Sequence, residues 1–227
     1  MTFTVKVTAD KLHIRQGAGR TFDPLGSFTK DDTANVLGID PTGTWLHIKQ
    51  TGTAGKQEGW CSARYLLPQA TQPSPWLAVA VKEIGIKEYL GPAINHPRIQ
   101  AYLATVNGLS AIDKSKDETY WCSCFTNWCV EQVQINGTDS AWAKSWGNWR
   151  EAVAPKNAQT GDIAVFDRSS ATSGGGHVGI FIDADPATGE VLVLGGNQSD
   201  SVRYAWYPAD ATKNGTHYKL LTCRRAA

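Results

Sequence analysis

The hydrophobic period of this chain changes twice, and those changes limit it to a few architectures. Up to about residue 68, short alternating runs separated by turn signals read as strands: residues 1–6, 11–15, 35–39, 44–49 and 59–66, with Gly17, Gly19 and Asp40-Pro41-Thr42-Gly43 as breaks. The stretch Gln69-Ala70-Thr71-Gln72-Pro73-Ser74-Pro75 is polar and proline-bearing, and reads as a linker. Beyond it the period turns helical: residues 75–85, opened by Pro75; 95–106, stopped by Asn107-Gly108; 122–134, stopped by Asn136-Gly137; and a stretch holding Trp142, Trp146 and Trp149. After Thr160-Gly161 come strand-like runs at 162–166, 177–182, 190–194 and around 218–221. Five or so strands, a linker, helices and then antiparallel strands predict two domains. They are a small all-β barrel or sandwich at 1–68 and an α+β domain at 76–227, joined by 69–75.

Composition narrows the function classes. The chain has 227 residues, 41% of them hydrophobic, which suffices for ordinary cores. Its net charge is +1 without a basic run, which argues against nucleic acid as a partner, and no apolar run reaches membrane-spanning length. The amino terminus from Met1 to Lys6 lacks the features of a secretory signal, so the expectation is synthesis in the cytoplasm and exit by another route. Five cysteines is an odd number without paired spacing. Cys122 and Cys124 project to nearly opposite sides of a helix and cannot bridge, and a lone Cys-x-Cys is a poor zinc signature. Free thiols made in a reducing compartment are expected, with no metal or cofactor.

The stretch Tyr120-Trp121-Cys122-Ser123-Cys124-Phe125-Thr126-Asn127-Trp128-Cys129 puts a cysteine at a helix start. Free backbone N–H groups and the positive end of the dipole favour a thiolate there. Gly176-His177-Val178-Gly179 carries a histidine into an apolar strand, and Gly195-Gly196-Asn197 closes another. Cysteine, histidine, asparagine is the chain order of a papain-like nucleophilic site. Amide hydrolysis needs a nucleophile, a base that later protonates the leaving amine, and oxyanion donors. Cys122, His177 and Asn197 are the candidates for nucleophile, base and orienter. The backbone N–H of Cys122 or Ser123 is the candidate oxyanion donor. With the imidazole as ion-pair partner, the Cys122 pKa is expected to be lowered.

Other residues take plainer readings. Cys124 lies further into the helix and reads as a small core residue with a raised pKa. His13, His47, His96 and His217 read as surface or interfacial groups. The three tryptophans at i, i+4, i+7 spacing read as a core stripe. Residues 113–119 are polar and predict a loop, with Thr119 as N-cap. Asp183 to Glu190 reads as a turn rather than a calcium loop, and Ser173-Gly174-Gly175-Gly176 as a flexible approach to His177, not a phosphate loop.

Two resemblances follow. Leu12, Ile14, Arg15, Gly17, Gly43, Trp45, Gly59, Trp60, Tyr65 and Leu66 resemble the "L-x-V/I-R-x-G", "G-x-W" and "G-W-V-x-x-x-Y-L" marks of bacterial SH3-like domains, with Cys61 in place of the usual valine. That resemblance implies docking on cell-wall peptides. "W-C-S-x-F-x-N-W-C", "G-D-I-x-V-F", "G-H-V-G" and "L-G-G-N-Q" resemble the CHAP-like amidases, relatives of the NlpC-type cell-wall peptidases. They are carried by Trp121, Cys122, Ser123, Phe125, Asn127, Trp128 and Cys129, then Gly161, Asp162, Ile163 and Phe166, Gly176 to Gly179 and Gly195 to Asn197. This second resemblance implies a papain-like fold, helices packed on an antiparallel sheet, with Cys122, His177 and Asn197 as its catalytic members and no cofactor. The glutamate that some relatives carry two residues before the asparagine is absent, since Gly195 stands there; Asp183 is the alternative orienter.

Together these imply a peptidoglycan hydrolase that cuts an amide bond of the stem peptide or its link to muramic acid. It would act as a phage-type endolysin, or as a delivered toxin with an immunity protein as partner. The first domain is expected to be dispensable for the chemistry. The rivals are a non-catalytic wall-binding protein and a thiol-dependent acyl or peptidyl transferase.

Overall fold

Alternation of buried and open positions, as in Lys11-Leu12-His13-Ile14-Arg15, lets a strand bury one face while the other stays wet. A computed structural model of the chain describes residues 3–51, 57–72, 74–91, 93–169 and 174–226. Its first part contains β1 (Thr4–Val7), β2 (Lys11–Arg15), β3 (Pro24–Thr29), β4 (Thr33–Ile39), β5 (Trp45–Gln50), β6 (Glu58–Ser62) and β7 (Leu66–Pro68). They form one antiparallel sheet in the order β3-β2-β6-β5-β4-β1-β7. Val5, Leu12, Ile14, Phe28, Val36, Leu46, Ile48, Cys61 and Leu66 point into its core. Register shifts at Ile14/Arg15 and Val36/Gly38 mark bulges, which increase coiling. Among the described residues no pair joins β3 to β7, so the sheet is open rather than the expected closed barrel. The strand missed in the sequence is β3: Pro24 and Gly26 disfavour a strand interior, but an edge strand tolerates them.

Past the linker, whose Pro73 lies outside the described residues, come α1 (Pro75–Lys82), α2 (Pro97–Ala104), α3 (Ala111–Ser115) and α4 (Cys122–Glu131). The chain then forms β8 (Glu151–Val153), β9 (Ile163–Ser169), β10 (Gly174–Asp185), β11 (Glu190–Gly195), β12 (Arg203–Pro208), β13 (Asp210–Lys213) and β14 (Thr216–Arg225). The second sheet is also antiparallel, in the order β12-β11-β10-β9-β14-β13, with β8 on β14. Helices followed by an antiparallel sheet make this part α+β, as expected.

Three helical expectations change. Residues 113–119 are not all loop, because Ser110 and Asp113 form a capping box that starts α3, and Thr119 donates to Asp113 O (2.8 Å) instead of capping α4. Helix α4 ends at Glu131, with Gln134 taking a left-handed φ of 62°. The tryptophan stretch is a short 3-10 helix, Ala143–Asn148, that buries Trp146 and Trp149 and leaves Trp142 62% exposed. Gly174 to Gly176 belong to β10 and are not a free approach; Ser173 lies outside the described residues.

Helix α4 is buried from Cys122 through Cys129 except at Trp128, as a helix must be when it is covered on every side. It packs on β10 and β11 on one side and on α1 and α2 on the other. Its buried Ser123, Thr126 and Asn127 are all paired. Ser123 Oγ donates to Ser140 O (2.6 Å) and accepts from Trp146 Nε1 (2.9 Å). Asn127 Oδ1 accepts from the N–H groups of Thr138 (2.7 Å) and Asp139 (3.0 Å), and its Nδ2 donates to Ser123 O (2.9 Å). An unpaired buried polar group would cost about 1–3 kcal/mol, so these bonds fix the helix against the 136–142 loop. The same holds for Asp162, which ends the loop before β9 and meets Arg225 of β14 in a two-pronged pair, 2.7 Å on each arm. Three residues of the recognised motifs are therefore structural anchors.

Candidate active site

Helix α4 places Cys122 and β10 places His177, both on one groove of about 1090 Å3. The first N–H groups of a helix have no intrahelical acceptor, and those of Cys122 and Ser123 favour the thiolate form of Cys122. A third donor comes from the sheet. Pairing of β10 with β11 stops at Ile180 opposite Leu194, where β10 packs on α4, and the Val178 N–H also favours the thiolate form. Burial nevertheless dominates, and pushes the Cys122 pKa above its ordinary value; the backbone donors and the Arg168 guanidinium pull weakly the other way. Burial also lowers His177, to about 4, with the Gln198 hydrogen bond raising it and Arg168 lowering it. The Tyr207 ring, 4.9 Å away, covers one side of the imidazole. The expected lowered thiol pKa is thus corrected: desolvation outweighs the helix start, and burial favours the uncharged form of both the Cys122 thiol and the His177 imidazole on this groove.

The orienter is also corrected. Asn197 lines the groove, but His177 Nε2 lies 2.9 Å from Oε1 of the next residue, Gln198, which is 2% exposed. The amide orientation follows from its other end. Gln198 Nε2 donates to Arg203 O (2.5 Å) and Val193 O (3.4 Å), which leaves only Oε1 to face the ring. His177 Nε2 must then carry the proton, and Nδ1 keeps the lone pair that a base needs. Asn197 has a backbone duty instead. Asn197, Ser199 and Asp200 all take left-handed φ values of 52–59°, in a turn closed by Gln198 N–H on Ser201 O (3.0 Å). Asparagine tolerates that conformation better than most residues. Asp183 lies beyond a bulge on β10, with Oδ1 accepting from the Ala184 N–H (2.9 Å).

Gly196 brings this turn onto α4. A Cβ there would come within 2.5 Å of the Trp121 ring and 2.7 Å of Phe125 Cβ. All five cysteines are free. Cys124 is fully covered and raised to about 12 by burial, as the sequence led one to expect; Cys122, at 8% exposure, is the one that reaches the groove.

The groove has a wall that the sequence did not predict. Ile39, Asp40 and Pro41, from the turn between β4 and β5, line it together with Tyr120, Trp142 and Arg168. The amino-terminal unit is therefore part of the site's surroundings. This departs from the expectation that it stands apart from the chemistry.

Two solved structures, of NlpC2 and NlpC1 from Trichomonas vaginalis, are similar to 99% of this chain and to 72% and 69% of their own lengths. Their sequence identities are 18% and 16%, and the TM-score is 0.39 in both cases. No curated protein matches the chain. A family model, the CHAP domain, does match, over residues 114–197, and Cys122 and His177 both fall within the matched span.

Proposed function

We propose that this chain hydrolyses an amide bond of peptidoglycan, in the stem peptide or at its link to muramic acid, through the Cys122 thiol. The observation that carries the reading is the locked imidazole: Gln198 fixes the proton on Nε2 and leaves Nδ1 to serve as base. The CHAP match supports the substrate class. The groove's exposed Tyr120 and Trp142 and the Arg168 guanidinium suit a ligand with both sugar or peptide faces and carboxylates.

In this mechanism His177 Nδ1 takes the thiol proton as the sulfur attacks the amide carbon. The carbonyl π electrons move to oxygen, where the N–H of Cys122 or Ser123 stabilises the charge. Collapse breaks the C–N bond, and Nδ1–H protonates the departing amine. Water then gives a proton to Nδ1, attacks the thioester, and expels the sulfur, which recovers its proton from the ring. Starting from an uncharged pair, the charge develops only once substrate has displaced water from the groove.

Digestion of purified peptidoglycan followed by mass spectrometry of the fragments tests this and identifies the bond. New amine and carboxyl ends should form with the unaltered chain and vanish with Cys122→Ala. Equal products from both, or none from either, would reject the reading.

A further inference from the structure

The clamp on Gln198 does not end at Gln198. Its Nε2 is held by the carbonyl of Arg203, the first residue of β12. The Arg203 side chain crosses to the amino-terminal unit, where Nη2 donates to Pro41 O (2.6 Å), while Nε donates to Tyr204 O (3.2 Å). The next N–H, that of Tyr204, donates to Gly43 O (3.0 Å). Two successive residues of β12 are thus tied to the turn between β4 and β5.

That turn is itself rigid. Asp40, 6% exposed, accepts from the N–H groups of Thr42 (2.9 Å), Thr44 (2.9 Å) and Trp45 (2.8 Å), and its carbonyl accepts from the Gly43 N–H (2.9 Å). Gly43 has φ +67°, and a Cβ on it would lie 2.1 Å from Tyr204 O, so glycine is what permits the contact. A carboxylate with three backbone N–H donors does not bend easily, and Arg203 in turn has its main chain paired with Gly195.

We propose that the turn Asp40–Thr44 of the amino-terminal sheet is a positioning element for the His177 imidazole, acting through Arg203 and Gln198. Its catalytic meaning rests on His177 being the base, as read above. The chain of contacts is continuous: turn to Arg203, Arg203 O to Gln198 Nε2, Gln198 Oε1 to His177 Nε2. Loosening the first link lets the Arg203 carbonyl drift, frees the Gln198 amide to rotate, and releases the ring from the tautomer that leaves Nδ1 basic.

The test uses the full chain with Arg203→Ala, Arg203→Lys and Gly43→Ala. In Arg203→Ala, kcat on soluble peptidoglycan fragments should fall about tenfold, with KM within about twofold, because orientation and not binding is lost. Arg203→Lys keeps a donor for Pro41 O and should restore most of the rate. Gly43→Ala, which pushes the turn off β12, should repeat the alanine signature. A second readout does not need turnover: the Nε2–H proton resonance of 15N-labelled His177 should be sharp in the unaltered chain and broadened in Arg203→Ala and Gly43→Ala. If the chain cleaves no peptidoglycan at all, that resonance still decides whether the clamp exists. Folded variants that keep both kcat and the resonance overturn the proposal. So does a lowered melting temperature with an unchanged rate per folded molecule. If Arg203→Ala does not fold, Arg203→Gln replaces it under the same criteria.

Discussion

Replacing Gln198 by alanine should lower kcat about 10–100-fold, since the imidazole loses the acceptor that holds its Nε2 proton in place. Asn197→Ala should keep most of the rate and instead cost about 1–2 kcal/mol in denaturant titration, because alanine resists a φ of 54°. The reverse pattern would restore Asn197 as the orienter. Cys122→Ser should abolish hydrolysis while Cys124→Ala keeps it, and iodoacetamide followed by peptide mapping should label Cys122 first, faster as pH rises. The pH dependence follows from His177. Above its ordinary pKa of 6.5 the ring is neutral in folded and unfolded chains alike. As pH falls toward about 4 only the unfolded chain takes the proton, so roughly 3 kcal/mol of stability should drain away across that window. The acid limb of kcat/KM should likewise lie well below 6.5; a limb at 6.5 would show a solvated ring. That Cys122 opens a helix and His177 lies on a strand was legible in the sequence, because both kinds of position leave local marks. Gln198 was not, since which of two adjacent amides turns inward depends on a run of left-handed residues with no periodicity. The direction of the Cys122 shift was hidden for a different reason: local sequence announces the dipole, but only tertiary packing announces desolvation.

The elements around the site are held by close approaches more than by helix or strand propensity. Gly196→Ala should destabilise the fold by about 1–3 kcal/mol in chemical denaturation, because its methyl group would enter the space of the Trp121 ring. Ser123→Ala strips Trp146 Nε1 of its acceptor, while Ser140 O keeps Asn127 Nδ2 (3.3 Å), and should cost about 1–3 kcal/mol for one buried donor left unpaired. Loss below 1 kcal/mol in either would mean that the loop at 136–142 or the turn at 195–201 adjusts freely. Long helices and strands were readable from their periods. The strand β12 was passed over although its register with β11 is regular from Glu190 to Gly195. It follows a turn whose dihedrals, not its composition, set its start. The capping box of α3 shows the opposite case: Ser110 and Asp113 were visible, but the charged residues after them masked a helix of five residues.

At the scale of the whole molecule, the sequence separated two units by period, and the structure joins them again through contacts that no period reveals. The Phe3 ring lies 6.5 Å from Tyr204, and Arg64 Nη2 donates to Lys82 O (2.9 Å), beside the bonds at Pro41 and Gly43. Deleting residues 1–70 should therefore reduce cleavage of soluble fragments as well as of whole sacculi, because the groove loses a wall. Assays on both substrates distinguish this from a loss confined to sacculi, which is what an independent targeting module would give. The turn Asp40–Thr44 has a further consequence for anyone building chimeras. A foreign module grafted in front of α1 would supply affinity for its own ligand, yet arrive without a loop that fits Arg203 and Tyr204. Transplants of the α+β part should succeed only when the donor scaffold carries that loop along, so the unit of exchange is larger than the boundary at the linker implies.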